Sequence, residues 1–404
     1  MVRALIHIPV VLLVVIAASC GQNQSIVLTN NADLQMVDKP VVMERNDLPV
    51  SGSEYFKLMD GSMEVPVQFD DFDGDGRWDE VAFECSLEPK ESVELRIEPT
   101  NDRPTYEIRT NAYLGYSPER NNQFSSVAEN ERPADHVAMS TPYLYQFEGP
   151  AWESDLVVFR SYFDSRNGKD IFGKVKPLIR AEIIGTGENY HELQDWGMDV
   201  LKVGGSLGAG ALAMLKNDSV YRLGETDRAA FHIVTEGPVR TIITLSYVGW
   251  EVESTSYDIE ETLSIWAGKR SYQSSVVLSN GSGADTLVTG IVNLKKVPKT
   301  ELSSNGFEIT YTHGEQSEHH DMLGMALLIP SEGFGGRATA PDEGEGVTNT
   351  FMSYLMPVDG AYHFSFLAGW EGENEAFKSQ EAFENALLTE ATALNQNIDI
   401  KLKN

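Results

Sequence analysis

Residues 239–279 read VRTIITLSYVGWEVESTSYDIEETLSIWAGKRSYQSSVVLS. Three stretches in it, 239–250, 257–267 and 271–279, are rich in β-branched and aromatic residues that often alternate with polar ones. That period of two is the mark of a strand with one buried face, and short polar breaks separate the stretches. The same grammar extends outward in both directions. Upstream lie SDLVVFRSYFD (154–164) and FHIVTEG (231–237); downstream lie DTLVTGIVNLKKV (285–297), FEITYTHG (307–314), LGMALLIP (323–330), TFMSYLMPV (350–358) and YHFSFLAGW (362–370). Strands succeed one another without interleaved helices, so the sequence predicts an all-β chain built as a large antiparallel β-sandwich. One helix is predicted near the end, from Ser379, where Phe383, Leu387 and Leu394 recur at helical spacing with Ala386 and Ala391 alongside. No linker or repeat divides residues 31–404, so a single domain is expected there, with a β-hairpin elaboration before residue 100 as the alternative.

The N-terminus, MVRALIHIPVVLLVVIAASCGQ, has a basic start at Arg3 and an apolar run from Ile8 to Ala18. Residues 1–19 are predicted to be a signal peptide, the run being shorter than the roughly 20 residues that span a bilayer. Ala-Ala-Ser-Cys resembles a lipobox, although Ala17 stands where Leu is usual; Cys20 would then carry the lipid, followed by a polar tether to residue 30. The expected location is the bacterial outer membrane, with contact to the bilayer only through that N-terminal lipid. The chain has two cysteines, and lipidation of Cys20 leaves only Cys85, so no intramolecular disulfide is available. A hydrophobic content of 41% over 404 residues is ample for a core without staples.

The formal charge of −30 argues against nucleic acid, whose binding rests on Lys and Arg at phosphates. Against that background YFDSRNGKDIFGKVKPLIR (162–180) stands out. From Arg160 to Arg180 there are six bases and two acids, Asp164 and Asp170. Strand alternation places Arg160, Tyr162 and Asp164 on one face, with Phe159, Ser161 and Phe163 on the other. Arg160, Arg166 and Lys169 are therefore expected to form an anion-recognising cleft, since guanidinium groups bind carboxylates bidentately. Internal pairing is the competing expectation: Arg160 with Asp164, Lys169 with Asp170, and Glu182, Glu188 and Glu192 from downstream.

YHELQDWGMDVLKVG (190–204) concentrates Tyr190, His191, Glu192, Asp195, Asp199 and Lys202 around Trp196. Asp195 stands where a zincin needs its second His, so the set reads as general acid–base chemistry: an imidazole with a carboxylate four residues on. In DDFDGDGRWDE (70–80), Asp71, Asp73, Asp75 and Asp79 with Gly76 reproduce the start of a calcium loop. Ala82 replaces the twelfth-position Glu, so the loop is no EF-hand; it either holds a structural Ca²⁺ or satisfies a tight turn. GSLGAGALA (205–213) formally matches a dinucleotide fingerprint but lacks a βαβ setting, so no nucleotide cofactor is expected and its glycines are assigned to tight turns or close sheet packing. HGEQSEHHD (313–321) is read as a polar loop in which His313 could reach a cleft.

FEGPAWESDLVVFRSYFDSRNGKDIFGK (147–174) and YHELQDWGMDVLKVGGSLGAGALAM (190–214) carry a resemblance. VPVQFDDFDGDGRWDEVAFE (65–84), SIWAGKR (264–270), LVTGIV (287–292) and THGEQS (312–317) support it. Together they resemble a family of uncharacterised lipoproteins and secreted proteins from glycan-degrading Gram-negative bacteria. The resemblance implies a galactose-mutarotase-like β-supersandwich and a setting beside enzymes that degrade pectin and other uronate glycans. It carries no catalytic residues over, and fold alone does not establish an activity.

The function expected from all this is a lyase acting on a uronate-containing glycan by β-elimination. Arg160, Arg166 and Lys169 would neutralise the sugar carboxylate, His191 would take the C5 proton, and Tyr190 or Tyr162 would serve the departing oxygen. Trp152 and Trp196 would stack on sugar faces. A glycoside hydrolase would instead draw two carboxylates from Glu153, Asp164, Asp170, Asp195 and Asp199. A non-catalytic glycan-binding lipoprotein and a mutarotase or epimerase complete the set.

Overall fold

Along Thr255–Trp266 every second side chain (Tyr257, Ile259, Glu261, Leu263, Ile265) is buried, as the alternation predicts. In the computed structural model, which describes residues 24–48, 54–281 and 285–403, this strand lies near the middle of a nine-stranded antiparallel sheet. Arg240–Val252 and Ser271–Ser279 flank it, so the quoted stretch is three successive neighbours of one meander. The sheet runs on through Ala361–Trp370, Met322–Pro330, Phe307–Glu315 and Lys299–Ser304 on one side, and Arg228–Thr235 and Glu129–Glu131 on the other.

Two five-stranded antiparallel sheets share its main core. The first orders Gly197–Asp199, Lys169–Lys174, Val157–Ser161, Ala151–Ser154 and Thr110–Tyr113; the second is built around Ala213–Lys216, Thr286–Val292 and Thr350–Leu355. Phe159, Ile171 and Met198 from the first, Met214, Leu287 and Leu355 from the second, and Leu245, Leu263 and Phe366 from the large sheet join in one cluster. Burying each such side chain is worth roughly 1.5–3 kcal/mol, so this contact dominates the fold. The chain is the all-β antiparallel sandwich that the sequence predicts.

The strand Met322–Pro330 serves two cores at once. Leu323, Met325, Leu327 and Ile329 face the sandwich interior, while Ala326 and Leu328 face a helix on the outside. That helix is Gln380–Asn395, capped by Ser379, whose side chain accepts from Ala382 N. Its Phe383 sits over the paired glycines Gly324 and Gly369; a Cβ on Gly324 would meet the ring at 2.3 Å, so only glycine fits.

The segment before residue 100 is larger than a hairpin. Strands between Ser25 and Thr100, joined by the C-terminal Asp399–Lys403, form a five-stranded and a three-stranded sheet. These enclose a separate core of Ile26, Leu28, Phe56, Leu58, Phe69, Val81 and Phe83. The small lobe is clasped to the sandwich by Arg240. Its guanidinium takes Asp70 (2.6 and 2.9 Å) and Glu80 (2.7 Å), while Gln68 accepts from Val239 N and Arg240 N. Residues 1–19, Cys20, where the lipid is expected, and residues 21–23 lie outside the described residues. The rest of the expected tether is no tether, because Ser25–Thr29 is a strand of this lobe with Ile26 and Leu28 in its core.

Candidate functional site

The outer face of the sheet containing Val157–Ser161 and Lys169–Lys174 carries the site. Register places Arg160 opposite Asp170, and Phe172 opposite Asp199. Val158, Phe172 and Trp196 make this face apolar at one end, and segment 178–196 covers it. Arg160, Asp170 and Asp199 stand in the remaining space, each no more than 4% exposed.

The basic island is neutralised from within. Arg160 Nη2 meets Asp170 Oδ2 at 2.5 Å, Arg160 Nη1 donates to Phe147 O, and Glu148 lies 3.8 Å away. Arg166 grips Asp164 through Nε and Nη2 and reaches Glu148 at 2.7 Å. The Tyr162 ring lies between the two guanidinium groups, 3.9 Å from Arg160 and 4.0 Å from Arg166. Lys169 points through the sheet into the core, where Glu261 takes it at 2.5 Å. Lys174 is buried against Glu153 at 2.5 Å, and that carboxylate also accepts from Arg180 N and Ala181 N.

Arg160 and Lys169 are therefore no carboxylate receptors: both are buried and each already holds a carboxylate. Asp164 and Glu153 are their neighbours' counter-ions, buried and held in place. Trp152 and Trp196 are 1% exposed and cannot stack on a sugar. The expected internal partners were also different. Arg160 takes Asp170, its cross-strand neighbour, in place of Asp164, which Arg166 holds. Lys169 takes Glu261 in place of Asp170 because alternation sends those two adjacent residues to opposite faces.

His191, by contrast, is open to solvent, and its Nδ1 lies 3.3 Å from Asp199 Oδ2. Its carboxylate partner is thus eight residues on, while Asp195 points outward, 3.9 Å from Arg180. The Tyr190 ring lies 4.4 Å from the His191 ring and packs on Phe172. The hydrogen bond with Asp199 raises the His191 pKa above its ordinary value, against desolvation. Burial pushes the Tyr190 phenol up to about 12. Burial, with the charge of Asp199, pushes the Asp170 carboxyl up from its ordinary value against the pull of Arg160. The Tyr162 hydroxyl, 3.3 Å from Asp170 Oδ2, is likewise raised by burial.

Tyr190 also lines a cleft of about 300 Å³ with Phe124, Tyr143, Phe147, Glu148 and the 185–187 turn. One wall is strained: Phe147 (φ 34°) and Glu148 (φ 70°) are successive non-glycine residues in the left-handed region. Sequence reasoning missed Glu148, Asn122, Phe124 and Tyr143. Glu148 lies in a quoted block, but only the three-dimensional turn places it between Arg160 and Arg166.

The remaining candidates lie elsewhere. His313 is locked beneath the helix, bonded to Phe377 O at 2.7 Å and stacked on Phe383. Lys202 is exposed beside Leu294 and Lys295. Asp71, Asp73 and Asp79 bring carboxylate oxygens within 4.8 Å of one another, whereas Asp75 stays outside the set and caps Arg77 N. Asp71 and Asp73 also accept from backbone amides at 74–76, so the loop satisfies its own turn. At 205–213, Gly208 (φ +60°) lets the chain pass Lys169 O, which a Cβ would approach to 2.1 Å. Its glycines serve close packing.

The model of a domain of unknown function, DUF4861, matches residues 28–400. The chain belongs to the DUF4861 family. A relative, "Uncharacterized protein P7" of Formosa agariphila, is 22% identical over 343 residues, 78% of each chain. Among solved structures, this DUF4861 chain is similar to an α-mannosidase from Enterococcus faecalis (TM-score 0.49, 8% identity), covering 94% of this chain and 46% of that one. The DUF4861 chain thus spans less than half of that mannosidase's length. A putative aldose 1-epimerase from Klebsiella pneumoniae gives a TM-score of 0.33 at 9% identity, covering 71% of this chain and 96% of that one.

Proposed function

We propose that the protein is a carbohydrate-active enzyme whose working groups are His191 and Tyr190 at the mouth of the Glu148 cleft. The observation that carries this is their placement: an open imidazole held by a buried carboxylate, beside a phenol that lines an aromatic and polar hollow. Asp199 fixes the imidazole's orientation and supports its charged form once it has taken a proton. Tyr190, protonated at all working pH values, is the donor to a leaving oxygen.

Elimination from a uronate sugar uses that pair directly: His191 takes the C5 proton and Tyr190 protonates the departing O4. Of Arg160, Arg166 and Lys169, carboxylate recognition then falls to Arg166, the part-exposed one, with the sugar carboxylate displacing Glu148 from its Nη2. Hydrolysis is the second reading. It is favoured by the crowding of Glu148, Asp164, Asp170 and Asp199 around two guanidiniums, which leaves the cleft no positive surplus for an acidic sugar. In either case the body is an exported one tethered through Cys20; the uronate-containing glycan expected from the sequence belongs to the elimination reading.

Incubation with uronate and neutral oligosaccharides, followed by mass spectrometry and ultraviolet absorbance, separates the readings. A 4,5-unsaturated product marks elimination, and a gain of water marks hydrolysis. His191→Ala and Tyr190→Phe should each lower turnover by roughly 10²–10⁴-fold. Unchanged turnover in both variants would remove the assignment.

A further inference from the structure

Alternation along Glu80–Leu87 sends Val81 and Phe83 into the small lobe's own core, and Ala82 and Glu84 toward the sandwich. Ala82 packs there on Val239 and Trp266. Glu84, one step further, faces a crevice of about 370 Å³ between the lobes. Pro66, Tyr106, Pro238, Val239 and Ala267 line it, together with Asp38, Glu107 and Arg109. A second hollow of about 290 Å³ continues past Tyr106 and Pro238 along the linker 103–108.

Glu84 Oε1 is buried and has no hydrogen-bond partner among the described residues. Natural structures rarely leave such a group unmet, because desolvating it costs on the order of 1–3 kcal/mol. The neighbouring cations do not meet it. Arg109 is held by Asp155 at 2.8 Å, and Lys269 by Glu390 at 3.2 Å with a further bond to Val37 O. Asp38 and Glu390 add negative charge nearby. An anion would therefore meet Asp38, Glu84 and Glu107, and the one cation in the crevice lining, Arg109, is already held by Asp155. A metal would lack ligands, since the one set of three converging acids among the described residues is at Asp71, Asp73 and Asp79.

We propose that this crevice is a second binding site, for a neutral sugar ring, with Glu84 meeting a pair of hydroxyls and Tyr106 and the two prolines covering the ring's apolar face. The chemistry matches on each side: a hydroxyl pair both donates and accepts, and Pro66, Tyr106, Pro238, Val239 and Ala267 supply apolar wall beside the charged Asp38, Glu107 and Arg109. Burial pushes the Glu84 carboxyl up to about 8, so at neutral pH it both donates and accepts, which suits a diol better than an ammonium group. The two hollows together suit a short linear oligosaccharide. None of this rests on the His191 assignment.

The test is calorimetric titration of the full chain with neutral trisaccharides (mannotriose, xylotriose, cellotriose) and with trigalacturonate. Saturable binding of at least one neutral trisaccharide is expected, at least tenfold tighter than trigalacturonate. Glu84→Ala should weaken it tenfold or more, and Glu84→Gln, which still donates and accepts, by threefold or less. Tyr106→Ala, on the linker, should weaken it tenfold and stands in should the strand variant not fold. His191→Ala should leave it unchanged. No neutral binding, equal binding of trigalacturonate, or affinity that follows His191 and ignores Glu84 and Tyr106 would each overturn the proposal.

Discussion

Replacing Lys169 by Met should cripple folding and leave the chemistry of the folded fraction alone. The Lys169 ammonium lies 2.5 Å from Glu261 and 3.1 Å from Gly210 O, with the rings of Tyr272 and Phe364 about it. Both side chains are 2% exposed, so the variant leaves a carboxylate deep in the core with Ser274 Oγ as its remaining donor. Removing one partner of a buried pair costs about 3–5 kcal/mol. At about 2 °C per kcal/mol for a large domain, the melting temperature should fall by roughly 6–10 °C. Replacing both partners, Lys169→Met with Glu261→Leu, removes the stranded charge and should restore stability to within about 1–2 kcal/mol of the parent. Thermal melts of the four proteins in this cycle measure the coupling. A single variant that melts with the parent, or a double variant that is the sum of two large losses, would refute the view that Lys169 belongs to the core.

Turnover should rise with pH through a value above that of an ordinary imidazole, because His191 works in its neutral form and Asp199 raises its pKa. Asp199→Asn should move that limb to lower pH, read from a pH profile of kcat/KM. The stability linked to the pair has the opposite sense: it is complete below the unfolded imidazole's pKa and is lost as pH rises through the raised one. Calcium should raise the melting temperature if the Asp71, Asp73 and Asp79 loop holds it; Asp73→Asn should abolish the rise and Asp75→Asn should keep it, measured by melts with and without chelator. Trp196→Ala should cost about 3–5 kcal/mol as a core truncation, while ligand affinity in titrations of folded protein stays unchanged.

The strands and the capped helix were legible because a buried face writes itself into the sequence every two or every 3.6 residues. The face assignment of Phe159, Arg160, Tyr162 and Phe163 was legible for the same reason. What the basic island binds was not. Its counter-ions Glu148, Glu153 and Glu261 come from the Gln146–Glu148 turn and two other strands, up to 92 residues away, and no local count of charge finds them. The small lobe was hidden differently: its closing strand, Asp399–Lys403, comes from the far end of the chain. The sequence singles out His191 and Tyr190 by density of reactive groups, but the pairing of His191 with Asp199 depends on how segment 178–196 folds over the sheet.

The left-handed turn at Phe147 and Glu148 gives the buried guanidinium a mechanical meaning. Two consecutive residues in that conformation store on the order of 1–2 kcal/mol each, and the turn would relax unless anchored. Arg160 supplies the anchor by holding the Phe147 carbonyl from below, so the cation acts as a tensioned guy-line that keeps the Glu148 carboxylate aimed into the hollow. Cutting that line would slacken the rim and blur the aim, so a residue no ligand can touch would govern how sharply the hollow discriminates between ligands.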